Sequence, residues 1–67
     1  MTKYYAHIFS EYGNIHWSAA FYDSIEEAKR RVEEEKASIL SNLEEGEHAT
    51  LRIYEENTNK RVYTEEL

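Results

Sequence analysis

The chain contains no cysteine and no proline, and only two glycines, one methionine and one tryptophan in 67 residues. Without cysteine, disulfides and thiolate metal sites are excluded. No stretch approaches the roughly 18 consecutive apolar residues of a membrane helix. The opening "MTKYYAHIFS" alternates apolar with polar residues instead of running apolar as a signal peptide does. A soluble, cytoplasmic protein with no membrane association is the expectation. Basic residues are also scarce, 8 against 14 acidic ones, for a formal net charge of −6. That balance disfavours nucleic-acid backbone binding, which needs cations to release counterions. It allows an acidic surface that attracts basic proteins.

A single domain spanning residues 1–67 is expected, with a small core. Domains of about this size bury only about 60% of the surface their unfolded chain exposes. Disulfides, metals or oligomerisation usually compensate. With disulfides excluded, self-association becomes the natural aid.

What the chain does have is aromatic residues in alternating runs. Gly13-Asn14 separates "KYYAHIFS" from "IHWSAAFY" and reads as a hairpin turn. A type II′ turn beginning at Gly13 would pair Tyr12 with Ile15, Ile8 with Ala19 and Ala6 with Phe21. A four-residue loop over Glu11–Asn14 would pair Ile8 with Trp17 and Tyr4 with Phe21. Both registers put Ala6, Ile8, Trp17, Ala19 and Phe21 on one face, because they differ by an even step. A three-residue bulged loop, pairing Phe9 with Ile15, would mix the two faces, since a one-residue slip flips every side chain.

In "DSIEEAKRRVEEEKASILSNLEEG", Ser24 and Glu27 form a capping box. Ile25, Ala28, Val32, Ile39, Leu40 and Leu43 recur at helical spacing. Glu26–Arg30 and Glu27–Arg31 stand at the favourable i,i+4 spacing. Gly46 is read as the residue just past the helix end, although Ser41-Asn42 offers an earlier stop. Lys36 falls within the apolar stripe and is expected to lay its stem on the core edge with its ammonium in water.

"HATLRIYEENTNKRVYTEEL" reads as a second hairpin, with Asn57-Thr58-Asn59 as the turn. A tight turn sets Ile53 opposite Val62, whereas a bulged loop with Asn59 in the left-handed region sets Ile53 opposite Tyr63. The resulting fold class is α+β: a β-β-α-β-β chain forming one four-stranded antiparallel sheet with a single helix on one face. A right-handed crossover puts the third strand beside the first, for the order 2-1-3-4.

The stretch "YGNIHWSAAFYDSIEEAKRRVEE" resembles two kinds of β-β-α module: the arm-binding domain of tyrosine integrases, and small duplicated modules of bacterial proteins. The common features are a glycine hairpin turn, an aromatic end to the second strand, and Ser-x-Glu-Glu-Ala opening a helix. They cover about a third to half of the chain and belong to any hairpin that feeds a helix. The integrase resemblance implies DNA reading by basic strands, and the strands here lack that charge. No site residue is carried over.

No enzyme is expected. The acidic clusters Glu33-Glu34-Glu35, Glu44-Glu45 and Glu65-Glu66 lie on a helix face or at element ends. None is isolated in apolar surroundings, as a tuned catalytic carboxyl would be. His7, His16 and His48 lack the spacing of a metal motif. Neither a metal nor another cofactor is expected.

The informative feature is the sheet face away from the helix. On the registers above it carries Tyr5, His7, Phe9, His16, Tyr22 and Tyr54, where clean polar residues are the norm. These six are the candidate partner-binding residues. Tyr and Phe are enriched at interfaces, and contiguous apolar patches mark interaction sites. The leading expectation is a small acidic non-catalytic interaction protein. It would pair as a homodimer and regulate or inhibit a partner protein, as small inhibitors of phages and mobile elements do. The alternative is a nucleotide or single-stranded nucleic-acid binding module that stacks bases on the same aromatics, with Arg52 and Arg61 on phosphates.

Overall fold

The computed structural model describes residues 2–67. Its elements are β1 (Tyr4–Ser10), β2 (His16–Tyr22), α1 (Ile25–Leu40), β3 (Ala49–Glu55) and β4 (Lys60–Glu66). The strands form one antiparallel sheet in the order β2-β1-β3-β4. The α+β class, the element order and the sheet order are those read from the sequence.

The first hairpin takes the four-residue loop. Ile8 faces Trp17, Phe9 faces His16, and the Ser10 N–H donates to the Ile15 carbonyl at 3.3 Å. Gly13 sits in that loop at φ 79°, a conformation that a side chain would strain. Farther from the turn the ladder slips. Tyr5 pairs with Ala20 but Tyr4 pairs with Tyr22, so Phe21 is an extra, unpaired residue. A bulge of this kind reverses the alternation beyond it. Phe21, expected to face the helix, is instead 59% exposed, and Tyr22, expected to face away, packs against the core.

The helix begins where the capping box places it. Ser24 accepts the Glu27 N–H at 3.1 Å, while the Glu27 carboxylate reaches back past the cap to the Asp23 N–H at 3.0 Å. It ends at Leu40, earlier than Gly46. The N–H of Ser41 bonds to the Ala37 carbonyl, and the Ser41 hydroxyl donates to the Ser38 carbonyl at 2.7 Å. Such local bonding by Ser competes with further helix. Gly46 has φ 81° but serves a separate turn closed by the Glu47 N–H on the Glu44 carbonyl. The arginines pair differently from the simple spacing: Arg30 with Glu27 at 3.8 Å, and Arg31 with Glu34 and Glu35 at 3.6 and 3.1 Å. Lys36 is half-buried, on the margin of the stripe.

The core comprises Ala6, Ile8, Ile15, Ala28, Val32, Ile39, Ala49, Leu51 and Ile53. Ala6 and Ala28 are fully buried, and residues of that size let helix and sheet approach closely. The helix lies over β1 and β2 and reaches β3. Trp17, on the helix side of the sheet, is only half-buried, because β2 is an edge strand. At the far edge, Tyr63 closes the helix side from β4, with the Lys29 ammonium 4.4 Å from its ring centre.

The second hairpin combines both candidate registers. Next to the turn Tyr54 faces Arg61, as a tight turn requires; past Val62 the ladder slips and Ile53 faces Tyr63. Asn59 occupies the left-handed region at φ 57°.

Candidate functional site

The strand pairings lay out the uncovered face row by row, across β2, β1, β3 and β4. One row runs Ala20, Tyr5, Tyr54, Arg61; the next Ser18, His7, Arg52, Thr64; the third His16, Phe9, Thr50, Glu66. Five of the six candidate residues, Tyr5, His7, Phe9, His16 and Tyr54, therefore share this face. Tyr22 does not: the bulge at Phe21 rotates it to the helix side, and Phe21 takes its place beside Tyr5. Sequence pattern could not choose between them, since Phe21 and Tyr22 are adjacent aromatics that fit either face.

The aromatic end is built around Tyr5. Its ring stacks on Tyr54 with centroids 5.1 Å apart, and Phe21 meets it edge-on at 6.4 Å. These are the offset and edge-to-face arrangements that aromatic quadrupoles favour. The Tyr5 hydroxyl donates to the Asn59 side-chain oxygen at 3.0 Å, tying the face to the β3–β4 turn. Because Ser18 and Ala20 are short, the surface dips between the rings into an open trough of about 810 Å³.

The other end carries Arg52 and two histidines. Arg52 spreads its guanidinium over the Phe9 ring at 4.8 Å, as cation–π contacts allow. Its Nε is buried and has no hydrogen-bond partner. The rings of His7 and His16 stand 6.1 Å apart, and Phe9 lies 5.4 Å from His7. Burial first, then the positive charges of His16 and Arg52, hold His7 below its ordinary 6.5. His48, two residues before Thr50, lies 3.9 Å from Glu66 at the end of the third row. Among the described residues no three His, Cys, Asp or Glu gather as a metal site, and no helix is long and apolar enough to cross a membrane.

Few acidic residues sit on this face: Glu66 ends the third row and Glu56 lines the trough, whereas Glu26, Glu33 and Glu34 stand exposed on α1, on the opposite side of the molecule. Lys3, Arg30 and Arg31 are ion-paired, but neither Arg52 nor Arg61 meets a carboxylate among the described residues. Neither this segregation nor the bulge that brings Phe21 across was anticipated from the sequence.

A second unanticipated residue is Glu47, which is buried and holds two loops together. Its carboxylate accepts the backbone N–H groups of Tyr12, Asn14 and Glu44 and the Asn14 side-chain amide, the last at 2.8 Å. Glu11 reinforces the junction by accepting the His48 N–H at 3.0 Å. Nothing in "EEGEH" distinguishes Glu47 from its neighbours.

Comparison with protein-family models, with curated proteins and with solved structures finds no match for this chain.

Proposed function

We propose that this protein is a non-catalytic interaction module that docks a partner protein on the uncovered face of its sheet and acts as a small acidic regulator or inhibitor. The observation that carries this reading is the aromatic band of Phe21, Tyr5 and Tyr54, with Phe9 past the His7–Arg52 row, on a face where polar residues are the norm. A standard interface takes about 800 Å² from each partner. That is close to a fifth of the 4400 Å² this chain exposes, so one sheet face is about what one partner covers.

Self-pairing is the form of this reading that needs no other molecule. We expect reversible dimerisation at high micromolar concentration in sedimentation equilibrium. Phe9→Glu, which places a charge in the band and spares the helix side, should yield a folded monomer. The same variant should lose a protein that the wild type captures from a lysate of the source organism. A wild type that stays monomeric and captures the same proteins as Phe9→Glu would refute the docking reading.

The stacked Tyr5–Tyr54 pair beside the unpaired Arg52 and Arg61 supports a second reading, stacking of nucleotides or single-stranded nucleic acid. Titration of short oligonucleotides at low salt, read by quenching of tyrosine and Trp17 fluorescence, tests it. Absence of binding there would rule it out.

A further inference from the structure

We infer that the partner meets this face with carboxylates: an acidic side chain of a protein segment docks between His7, His16 and Arg52, while its apolar neighbours lie on Phe9, Tyr5 and Tyr54. This rests on the docking reading above and adds the chemistry of the partner.

Three groups that are or can become cationic are neighbours here, His16 on β2, His7 on β1 and Arg52 on β3, and no acid is among them. In a chain with 14 acidic residues, Arg52 makes no ion pair among the described residues, and its Nε is buried without an acceptor. Its guanidinium already sits over the Phe9 ring. The ordering cost of presenting its N–H groups to a carboxylate is therefore partly met in the free protein. The exposed acids of α1 face the other way, so an acidic segment approaching the sheet does not meet them first.

The same layout separates this partner from the alternatives. A second copy set face to face on a two-fold axis through the central row would bring the two Arg52 guanidinium groups towards each other. Self-pairing is therefore the weaker use of the face. A nucleic acid would bring a continuous run of phosphates against a molecule of net charge −6 that offers two arginines on this surface. A protein segment brings one or two carboxylates among apolar side chains, which is what the face can match.

The groups facing His7 are His16 from β2 and Arg52 from β3, with Tyr54 from β3 and Glu56 from the β3–β4 loop lining the same trough, and Tyr5 on its own strand. His7 is neutral at pH 7 because burial and its two cationic neighbours oppose its protonation. A bound carboxylate removes part of that opposition. By linkage, acidic-segment binding tightens as pH falls through the imidazole range, while glutamate stays ionised down to about pH 4.3.

The test is a titration of the full-length ¹⁵N-labelled protein with a synthetic peptide of glutamate and leucine. Its glutamine counterpart and an oligothymidylate of equal length serve as the other arms. The expected result is amide shifts at His7, Phe9, Arg52 and Tyr54. The glutamate peptide should bind about tenfold more tightly than the glutamine one, as a charge-assisted hydrogen bond allows. Its affinity should rise several-fold between pH 7.5 and pH 5.5. Arg52→Gln should remove the preference for glutamate, and His7→Gln should flatten the pH dependence. His16→Gln, at an exposed position, repeats the measurement if either variant unfolds.

Equal binding of the two peptides to these residues would overturn the carboxylate inference and leave the docking reading standing. Tighter binding of oligothymidylate would overturn it in favour of nucleic acid. Absence of any shift on this face, with the wild type still capturing a protein that Phe9→Glu loses, would overturn acidic recognition alone.

Discussion

Glu47 shows how much one side chain can organise in a small domain. Burial by itself would raise its carboxyl, but the Glu44 N–H, with the Ser10 hydroxyl and the Asn14 side chain and backbone, brings it down from 4.5 to about 2. The folded state therefore binds this proton less readily than the unfolded chain does. Glu47 contributes its full stabilisation above about pH 4.5 and loses it progressively as pH falls towards 2. Glu47→Gln should lower the melting temperature by several degrees at pH 7, and the gap between variant and wild type should close between pH 4.5 and pH 2. Thermal melts of both proteins across that range check it. Melting curves that coincide at pH 7 would mean the two loops are held by other contacts.

At the scale of elements, the helix start and the second turn each depend on one residue. Ser24 accepts a first-turn amide that nothing else satisfies. Ser24→Ala should cost about 1 kcal/mol, which lowers the melting temperature of a domain this size by about 4–8 °C. Asn59 holds a left-handed backbone conformation at the β3–β4 turn. A β-branched residue there should cost about 1–2 kcal/mol, whereas glycine should be tolerated. Denaturation of Asn59→Val and Asn59→Gly separates the backbone requirement from the loss of the Tyr5 hydroxyl bond, which both variants share. Equal destabilisation by the two would assign the residue's importance to that bond.

Across the whole molecule, stability and interaction are assigned to opposite faces of one sheet. On the helix side Ile8, Leu51, Ile53 and Val32 are fully buried, while Trp17 on the edge strand keeps part of its ring in water. Leu51→Ala should therefore cost about 2–5 kcal/mol, enough to unfold much of a marginal domain. Trp17→Ala should cost less than the about 3–5 kcal/mol of a fully buried aromatic and leave the chain folded. Urea denaturation of the pair decides the order, and a reversed order would move the centre of the core towards β2. The other face carries its aromatics and arginines without helix cover, and the exposed acids of α1 are directed away from it. The molecule is acidic overall, and its candidate interface carries the unpaired Arg52 and Arg61.

The local features of the fold are those that nearby residues decide. Helical spacing from Ile25 to Leu40, the Ser24–Glu27 cap, and two alternating hairpins around turn residues specify the β-β-α-β-β order. Strand alternation likewise puts Tyr5, His7, Phe9, His16 and Tyr54 on one face. Three features depend on contacts far apart in the chain. The bulge at Phe21 exchanges Phe21 for Tyr22, because a one-residue slip inverts every side chain beyond it. Glu47 becomes a hub only when the helix–β3 loop closes on the first hairpin, 33 residues from its Asn14 partner. The clustering of Arg52 with His7 and His16 likewise follows from β3 pairing beside β1. Short-range periodicity and capping act within a few residues, so the sequence displays them; a cross-strand neighbour exists only once the sheet has formed.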